Sequence, residues 1–334
     1  EVGMEGATGI DVSMLKGKKL LNMDSEEEGV MLASCAGGCR ADVKLPVERE
    51  TVSGTKLIVS LSGLTGGHSG SEIDKGRGNA NTLMSRLLRD ASAPVAIASI
   101  DGGRKDNAIP RECTAQIIVA PDEAAAVKAS IEQAAAEIAE EFKASDPDLK
   151  LAVSEETDCS ESAISAKDSA RVIALIEALP NGIIRMSREI DKLVETSLNL
   201  GVLKSDDAAV TLRYAVRSSV GVAKKSLKNQ LVCIAGAFEA EVTFEGDYPA
   251  WEYKKDSKLR EDMVRIFEEM YGKKPTVEAI HAGVECGLLS GKIEGLDCIS
   301  MGPDMYDIHT TEERLSISSA KRSYEYILRV IACK

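Results

Sequence analysis

Aromatic residues and histidine are scarce in this sequence of 334 residues, and basic residues are outnumbered by acidic ones. Aromatic residues make up only 4% of it, so its cores must be built from aliphatic side chains. The net charge of −13 argues against nucleic acid and anionic membranes, because both attract basic surfaces. No apolar run approaches the roughly 18 residues that a membrane-spanning helix needs. We therefore expect neither nucleic acid nor a membrane as a partner.

The eight cysteines are scattered, and the closest two, Cys35 and Cys39, do not form a CxxC pair. This spacing gives no indication of a structural zinc site. The first residues, EVGMEGATG, do not resemble a secretory signal peptide. We therefore expect reduced, mostly buried thiols and a cytoplasmic location.

Residues 42–160 alternate between the two-residue period of strands and the longer period of helices. The pattern predicts β-α-β-β-α-β, the element order of a ferredoxin-like unit. The elements are residues 56–64, 77–91, 94–103, 113–120, 122–145 and 149–155. Part of this order returns in residues 165–179, 181–189, 208–219, 223–240 and 241–248. We therefore predict two related halves that form one larger sheet, although the sequence itself shows no repeat.

The two ends of the chain together resemble one α/β domain. Its elements are an apolar segment, two helices and a strand, at residues 18–24, 258–272, 319–332 and 296–303. We therefore predict a domain made of residues 1–41 and 249–334. It is interrupted by an inserted α+β domain of residues 42–248.

Acidic residues surround one histidine near the end of the chain, in GPDMYDIHTTEE. Carboxylates and an imidazole that converge at a strand end are typical of a metal site, so His309 is a candidate ligand. A surface histidine among solvated acids is the alternative. Asp24 ends the apolar segment LLNMD, where an ionised carboxylate is unfavourable unless it is paired or bound to a metal. A turn or helix cap is the alternative for Asp24.

Three more polar residues stand out in the sequence. Arg217, at the end of the strand-like YAVRSS, could hold a carboxylate with its two-pronged guanidinium group, or lie on the surface beside an acid. Asn107 lies in DGGRKDNAIP, where turn formation is the simplest role. His68 lies in SGLTGGHSGSEID, where four glycines flank it and free the backbone. None of these residues decides the function alone.

Taken in order, the motifs resemble the M20 family of zinc peptidases, and within it the aminoacyl-histidine dipeptidases. The resemblance rests on EVGMEGATG, LLNMDSEEEG, CAGG, GLTGGHSG followed by GRGNAN, NAIPRE, RSS, HAGVECG and DIHTTEE. These motifs are spread over essentially the whole chain. The resemblance implies a zinc-peptidase catalytic domain with two zinc ions, interrupted by a lid domain of two ferredoxin-like halves that closes over a dipeptide.

The resemblance also implies metal ligands. Glu1 looks like the second glutamate of the family's Glu-Glu pair, which binds one zinc. Asp24 matches the aspartate that binds the other, and His309 matches the C-terminal histidine ligand. The family often has His-Ser-Pro-Asp-Glu where this chain has HTTEE, a departure that keeps the ligand.

The lid residues follow from the same resemblance. His68 matches a lid histidine that reaches toward the scissile carbonyl and stabilises the developing oxyanion. Asn107 and Arg217 match substrate-binding positions, and Arg217 takes the free carboxylate of the dipeptide. Glu285 and His281, in HAGVECG, line the same cleft in the family. Glu285 is counted among the substrate-binding residues without an assigned role.

The start of the chain departs most from the family. Family members carry a His-x-Asp motif, a bridging aspartate and a general-base glutamate ahead of the position of Glu1. This sequence contains no His-x-Asp. It is therefore expected to lack most of the first part of the catalytic domain. By itself it should be inactive and a poor zinc binder.

Together these features predict a cytoplasmic, zinc-dependent dipeptidase that hydrolyses unblocked dipeptides, with Xaa-His as the preferred class. A broader M20 dipeptidase or aminotripeptidase remains open, and so does a non-catalytic binding protein that kept the fold. A homodimer remains open too, because the doubled lid could replace the lid that single-lid relatives obtain from a partner.

Overall fold

Two main β-sheets form the framework of the protein in its computed structural model, which describes residues 4–308 and 310–333. The large sheet has nine strands and the small sheet has four. The helices in this part of the chain are α1 Glu5–Gly9, α2 Ala80–Arg89, α3 Ala124–Phe142, α4 Ala166–Ala178, α5 Gly221–Ala237, α6 Lys258–Tyr271, α7 Glu285–Lys292 and α8 Ile317–Ala332.

The strands of the described residues are β1 Lys19–Asn22, β2 Val30–Cys35, β3 Gly37–Pro46, β4 Arg49–Ser62, β5 Gly67–His68, β6 Ala96–Gly102, β7 Ala108–Ile109, β8 Cys113–Val119, β9 Lys150–Ile164, β10 Gly182–Met186, β11 Val194–Ser205, β12 Ala209–Ser218, β13 Glu241–Tyr248, β14 Thr276–Ile280, β15 Asp297–Ser300, β16 Met305–Tyr306 and β17 Arg314–Leu315. A short 3₁₀-helix spans Ile73–Lys75. The pairs β5–β7 and β16–β17 are short antiparallel pairings outside the two main sheets.

The large sheet consists of two ferredoxin-like units. Its strands lie in the order β13-β3-β12-β11-β6-β8-β4-β9, and β10 pairs with β11. Strands β6-β8-β4-β9 with α2 and α3 form one unit, and β13-β3-β12-β11 with α4 and α5 form the other. The units meet where β11 pairs antiparallel with β6. The predicted fold, two related halves in one sheet, is therefore confirmed.

The second unit is not continuous in sequence, which the prediction did not include. Its first strand, β3, precedes the first unit, so that unit is inserted between β3 and α4. Strands β3 and β11 were not predicted, although both alternate apolar and polar residues, as in CRADVKL. The predicted boundary between residues 41 and 42 falls inside β3. The division of the chain into two domains stays a prediction.

Helices α2 to α5 cover one face of the large sheet with an aliphatic core. Side chains from all four helices join those of the strands in one continuous buried cluster. In β4, Leu57, Val59 and Leu61 are at most 1% exposed, as the alternation of the strand requires. Each such side chain contributes about 1.5–3 kcal/mol when it is fully buried. The N-termini of α2 and α4 are capped by the side chains of Asn79 and Ser165.

The opposite face of the large sheet is polar. Alternate residues of β3 and β12 place Asp42 and Arg213 there, where the guanidinium group donates two hydrogen bonds of 2.8 and 2.7 Å to the carboxylate. Ser197 of β11 and Arg217 of β12 are register partners on the same face. A sheet with one apolar and one polar face can bury the first in a core and use the second for binding.

The small sheet lies next to this polar face. Its strands have the order β1-β15-β2-β14, with β1 parallel to β15 and β14 parallel to β2. Helices α6 and α8 pack on one side of it through Met263, Phe267 and Tyr326, and the Tyr326 hydroxyl donates to the Met263 carbonyl. Helix α7 begins within HAGVECGLLSG, a glycine-rich segment that was not predicted to be helical, and ends one residue after it.

Two chain crossings connect the sheets, and they run side by side. Cys35 and Trp251 exchange backbone hydrogen bonds of 3.0 and 3.1 Å, one from each crossing. At Gly37, a Cβ atom would lie 2.4 Å from the backbone nitrogen of Ala250. Only glycine allows the two crossings to approach this closely.

No helix in residues 4–308 and 310–333 is long and apolar enough to cross a membrane. The eight cysteines are all free, and Cys35, Cys39, Cys113, Cys286 and Cys298 are buried. Most of the thiols are therefore buried, as the sequence predicted.

Gly37→Ala should destabilise the protein, whereas Gly236→Ala in α5 should not. The first change forces a methyl group into backbone atoms of the return crossing, and overpacking of this kind costs about 1–3 kcal/mol. Gly236 has no atom within 4 Å of an added Cβ, and alanine in a helix is about 1 kcal/mol better than glycine. Urea unfolding of both variants measures this difference, and equal stabilities would contradict the close crossing.

Candidate active site

The predicted lid histidine lies in a loop that one buried aspartate closes. The Asp146 carboxylate, 1% exposed, accepts hydrogen bonds of 2.8 Å from the backbone amides of Thr65 and Gly78. These two residues lie on either side of the glycine-rich segment, so one side chain holds both ends of the loop. The Ser145 hydroxyl donates a third bond to the same carboxylate. The flexible glycine sequence thus becomes a fixed loop.

The hydrogen bonds of the His68 ring determine which nitrogen is available for a ligand. Its Nδ1 atom accepts from the backbone amides of Gly70 and Ser71, at 3.2 and 3.1 Å. An amide can only donate, so Nδ1 is the acceptor and Nε2 carries the proton of the neutral ring. The Glu72 carboxylate accepts from the His68 backbone amide at 2.8 Å and so fixes the residue from the other side. His68 can therefore donate a hydrogen bond from Nε2.

The surroundings of His68 keep the ring neutral. Burial lowers its pKa, and the positive charge of Arg217 lowers it further, while Glu72 opposes both effects. The lowered pKa favours the neutral imidazole, which is a hydrogen-bond donor through Nε2–H. That property suits a group that faces a carbonyl oxygen.

Asn107 and Arg217 line the same small cavity. The Asn107 carbonyl accepts from the Ser69 amide at 2.9 Å, next to the β5–β7 pairing of His68 with Ala108. Asn107 and Arg217 border a cavity of about 210 Å³ together with Tyr248, whose hydroxyl lies 3.5 Å from an Arg217 nitrogen. The structure thus brings three predicted residues, His68, Asn107 and Arg217, into one region.

Three buried polar atoms of this region lack a hydrogen-bond partner among the described residues. They are the Ser69 hydroxyl, in a residue 1% exposed, Nε of Arg217 and Nδ1 of His281. Buried polar atoms almost always have a partner, and exceptions concentrate at functional sites. These atoms indicate a place where a polar ligand group can bind.

His281 connects the small sheet to the large one. It begins the loop between β14 and α7, and its Nε2 lies 2.7 Å from the hydroxyl of Ser197 in β11. Burial, with the positive charge of Arg217 and the nearby His68, lowers the pKa of His281 to about 3, against a weak opposing effect of the Val194 carbonyl. His281 is therefore neutral at physiological pH, and the predicted cleft histidine is a contact between the sheets.

Asp24 lies in a second, acidic cavity of about 760 Å³. Glu26, Glu278 and Asp304 line the same cavity, and so do residues 282–284 of the loop that begins at His281. The loop thus separates the acidic cavity from the region of His68 and Arg217. The turn after Asp24 is held by hydrogen bonds from the amide of Glu28 to the Asp304 carboxylate and from the amide of Met305 to the Glu26 carbonyl.

The remaining predicted site residues are Glu285, Glu1 and His309. Glu285 is the first residue of α7 and is half-buried. Glu1 and His309 lie outside the described residues. In the sequence, His309 falls between β16, which follows directly on Asp304, and β17.

A metal centre is not complete within residues 4–308 and 310–333, where no three His, Cys, Asp or Glu residues converge to hold an ion. The acidic cavity nevertheless offers carboxylate oxygens, which divalent cations accept as ligands. Of the three predicted metal ligands, Asp24 is the one that lies within the described residues. The described part of the chain therefore offers oxygen ligands of the right kind, but it does not offer a complete set of ligands.

Sequence reasoning missed three residues that build this region: Asp146, Ser197 and Tyr248. Ser197 and His281 are in contact although they are 84 positions apart in the sequence, and Tyr248 and Arg217 are 31 positions apart. No local pattern could have found these contacts. The aspartate after a long helix is a turn signal in the sequence, but nothing there indicates that it binds both ends of a loop, at residues 81 and 68 positions earlier.

Comparisons with known proteins identify relatives over nearly the whole chain. The model of the peptidase dimerisation domain of the M20 family matches residues 59–146, most of the first ferredoxin-like unit. The cytosol non-specific dipeptidase of Escherichia coli is 34% identical over 323 residues, which are 96% of this chain and 66% of that protein.

A solved structure is also similar to nearly the whole chain. The aminoacylhistidine dipeptidase of Vibrio alginolyticus is 32% identical and superimposes with a TM-score of 0.91, over 99% of this chain and 68% of that one. The chain thus spans about two thirds of the length of these relatives.

Asp146→Ala should open the loop that holds His68. The change leaves the buried amide of Gly78 and the part-buried amide of Thr65 without their acceptor, so we expect a loss of about 1–3 kcal/mol in the free energy of unfolding. Hydrogen exchange at the amides of Thr65 and Gly78 should become faster. The matched control is Asp148→Ala, an exposed aspartate two residues further on. Unchanged protection of both amides in Asp146→Ala would contradict the role of this carboxylate.

The buried His281 should make stability depend on pH. Its pKa is about 3 in the folded protein and 6.5 in an ordinary environment, so the unfolded chain takes up the extra proton between these values. The free energy of unfolding should therefore decrease as pH falls below 6.5, by about 1.4 kcal/mol per pH unit from this residue. His281→Gln should reduce the slope between pH 6.5 and 4, measured by urea unfolding. The same slope in wild type and variant would show that the ring is accessible to protons.

Proposed function

Because the chain belongs to the M20 family of peptidases, in the branch of the aminoacylhistidine dipeptidases, we propose that it hydrolyses unblocked dipeptides. One observation carries this proposal: His68, Arg217 and the loop 281–284 meet between the two sheets, beside a carboxylate-lined cavity. A hydrogen-bond donor and a cation on one side of this loop, with an acidic cavity on the other, suit a short peptide with a free carboxyl end.

His68 is the proposed oxyanion donor. With Nδ1 occupied by two amides, its Nε2–H is the atom that can reach a scissile carbonyl oxygen. Negative charge develops on that oxygen when the carbonyl carbon is attacked, and a fixed donor stabilises it without reorganisation. The lowered pKa of the ring favours its neutral form.

Arg217 is the proposed partner of the substrate's carboxylate. Its Nε is buried without a partner among the described residues, so the guanidinium group keeps a donor for a ligand. A guanidinium group can hold a carboxylate with two parallel hydrogen bonds. Asn107, which lines the same cavity, and Glu285, at the start of α7, are further proposed substrate-binding residues.

M20 peptidases are metalloenzymes, so membership in the family implies a metal cofactor. We propose two zinc ions, with Asp24, Glu1 and His309 as the ligands from this chain. Bound zinc would act as a Lewis acid on the scissile carbonyl. The position of Asp24 in the wall of the acidic cavity supports this proposal.

The preferred substrate class is proposed to be Xaa-His, as the name of the Vibrio alginolyticus relative suggests. The name of the Escherichia coli relative favours a second candidate, a dipeptidase of broad specificity. The same relative supports a cytoplasmic location. The match to a dimerisation domain supports a homodimer, which sedimentation velocity measures directly.

The test compares β-alanyl-histidine with Ala-Ala, a tripeptide and C-terminally amidated β-alanyl-histidine. It uses the longest natural polypeptide that contains this chain, supplied with zinc. We expect turnover of the free dipeptides and poor turnover of the amide, because the amide lacks the carboxylate that Arg217 binds. Arg217→Lys should raise KM for the free dipeptides by about tenfold or more, since a point charge replaces a two-pronged donor.

Two controls make the result specific. Arg213→Lys changes an arginine of the same strand and face that is paired with Asp42, and it should leave KM unchanged. His68→Ala should reduce kcat by about 10²–10³, the usual effect of a lost oxyanion donor. Equal cleavage of the amide and the free acid would reject the carboxylate role, and a lack of turnover with every peptide would reject the function.

A further inference from the structure

The loop 281–284 touches the polar face of the large sheet at two points. At one end, Nε2 of His281 lies 2.7 Å from the Ser197 hydroxyl, and the two residues are 5% and 1% exposed. At the other end, Gly283 lies against the Tyr248 ring, where an added Cβ would approach Cε2 to 2.9 Å. The loop of one sheet is thus fixed on the other by a buried hydrogen bond and a close ring contact.

Arg217 lies between these two contacts. Ser197, Arg217 and Gly38 are register partners on the neighbouring strands β11, β12 and β3, so they form one row on the polar face. Register partners lie about 4.5–5.5 Å apart. Tyr248 fills the space above Gly38, where a Cβ would lie 2.6 Å from its hydroxyl oxygen. The arginine therefore has Ser197 with His281 on one side and Tyr248 on the other.

This arrangement limits the freedom of a long side chain. An arginine loses considerable rotamer entropy when it binds a ligand, and neighbours that fix it beforehand reduce that loss. The charged and titratable groups that face the His281 ring are Arg217 and His68, with the backbone carbonyl of Val194 beside them. A second positive charge on His281 would repel Arg217, so the neutral ring is part of the arrangement.

We propose that His281 and Ser197 are positioning residues: they anchor the loop 281–284 to the large sheet and thereby hold Arg217 in the orientation that binds a carboxylate. The anchoring of the loop is inferred from the hydrogen bond between His281 and Ser197 and from the contact of Gly283 with Tyr248. Its effect on binding rests on the proposed function, in which Arg217 receives the carboxyl end of a dipeptide.

Ser197→Ala removes one hydroxyl from this contact and alters no aromatic or charged side chain. Ser197→Thr keeps the hydroxyl, so this variant should behave like the wild type. Thr196→Val is the matched control, because Thr196 is the neighbouring buried residue of the same strand. Its hydroxyl pairs with Ser218 at 2.9 Å, and its side chain points to the opposite face.

The first measurement needs no substrate. The sequence has three histidines, so NMR of isotope-labelled histidine rings can be assigned with single variants. In the wild type and in Thr196→Val, the His281 signals should not change between pH 8 and 5. In Ser197→Ala the loop should leave the sheet, and the exposed ring should titrate above pH 5. The anchoring would be overturned if the His281 signals of Ser197→Ala did not change between pH 8 and 5, or if the His281 ring of the wild type titrated above pH 5.

The second measurement is binding. In Ser197→Ala the KM for β-alanyl-histidine should rise about tenfold, which corresponds to one lost buried hydrogen bond, with kcat within about twofold of the wild type. The KM for its C-terminal amide should not change, because the amide offers Arg217 no carboxylate. Equal effects on the acid and the amide, or a KM that does not change, would overturn the positioning of Arg217.

These outcomes separate this proposal from the proposed function. If no peptide is hydrolysed, the function fails, and the NMR titration still decides whether His281 and Ser197 anchor the loop. If dipeptides are hydrolysed and Ser197→Ala behaves like Thr196→Val in both measurements, the function stands and the positioning role is rejected.

Discussion

The close approach of the two chain crossings is the constraint on which the arrangement of the two sheets depends. Gly37 has no side chain, so the backbone of residues 248–250 can lie directly against it, and Cys35 and Trp251 exchange hydrogen bonds beside it. Both connections between the sheets are therefore held in one place. Because Tyr248 belongs to this crossing, its ring is fixed at the edge of the cleft.

The chemistry of the cleft follows from the two faces of the large sheet. Helices α2 to α5 bury one face in an aliphatic core, which fixes the strands and their register. Alternation then places Ser197 and Arg217 on the other face, opposite the small sheet. Burial between two sheets reduces solvation, which strengthens the effect of the Arg217 charge on His68 and His281 and keeps both rings neutral.

Rigid support compensates for the glycine content of the lid loop. The glycines allow the backbone to approach the neighbouring loop closely, since a Cβ on Gly70 would lie 2.5 Å from the His281 carbonyl. Such a loop has high conformational entropy when it is free. Asp146 reduces this freedom by closing the loop, and the amides of Gly70 and Ser71 orient the His68 ring. The result is a fixed donor on a chain segment that could otherwise adopt many conformations.

The sequence by itself determined the helices of the large sheet, most of its strands and the family, because period and motif are local properties. It also indicated His68, Asn107 and Arg217 as candidates, through motifs whose order along the chain is specific. Only the tertiary structure decided that β3 and β11 complete the second unit, and that the Ser197 hydroxyl forms a hydrogen bond with the His281 ring. The register of two strands depends on how whole elements pack, and so does a contact between residues 84 positions apart. A local sequence pattern does not determine this packing.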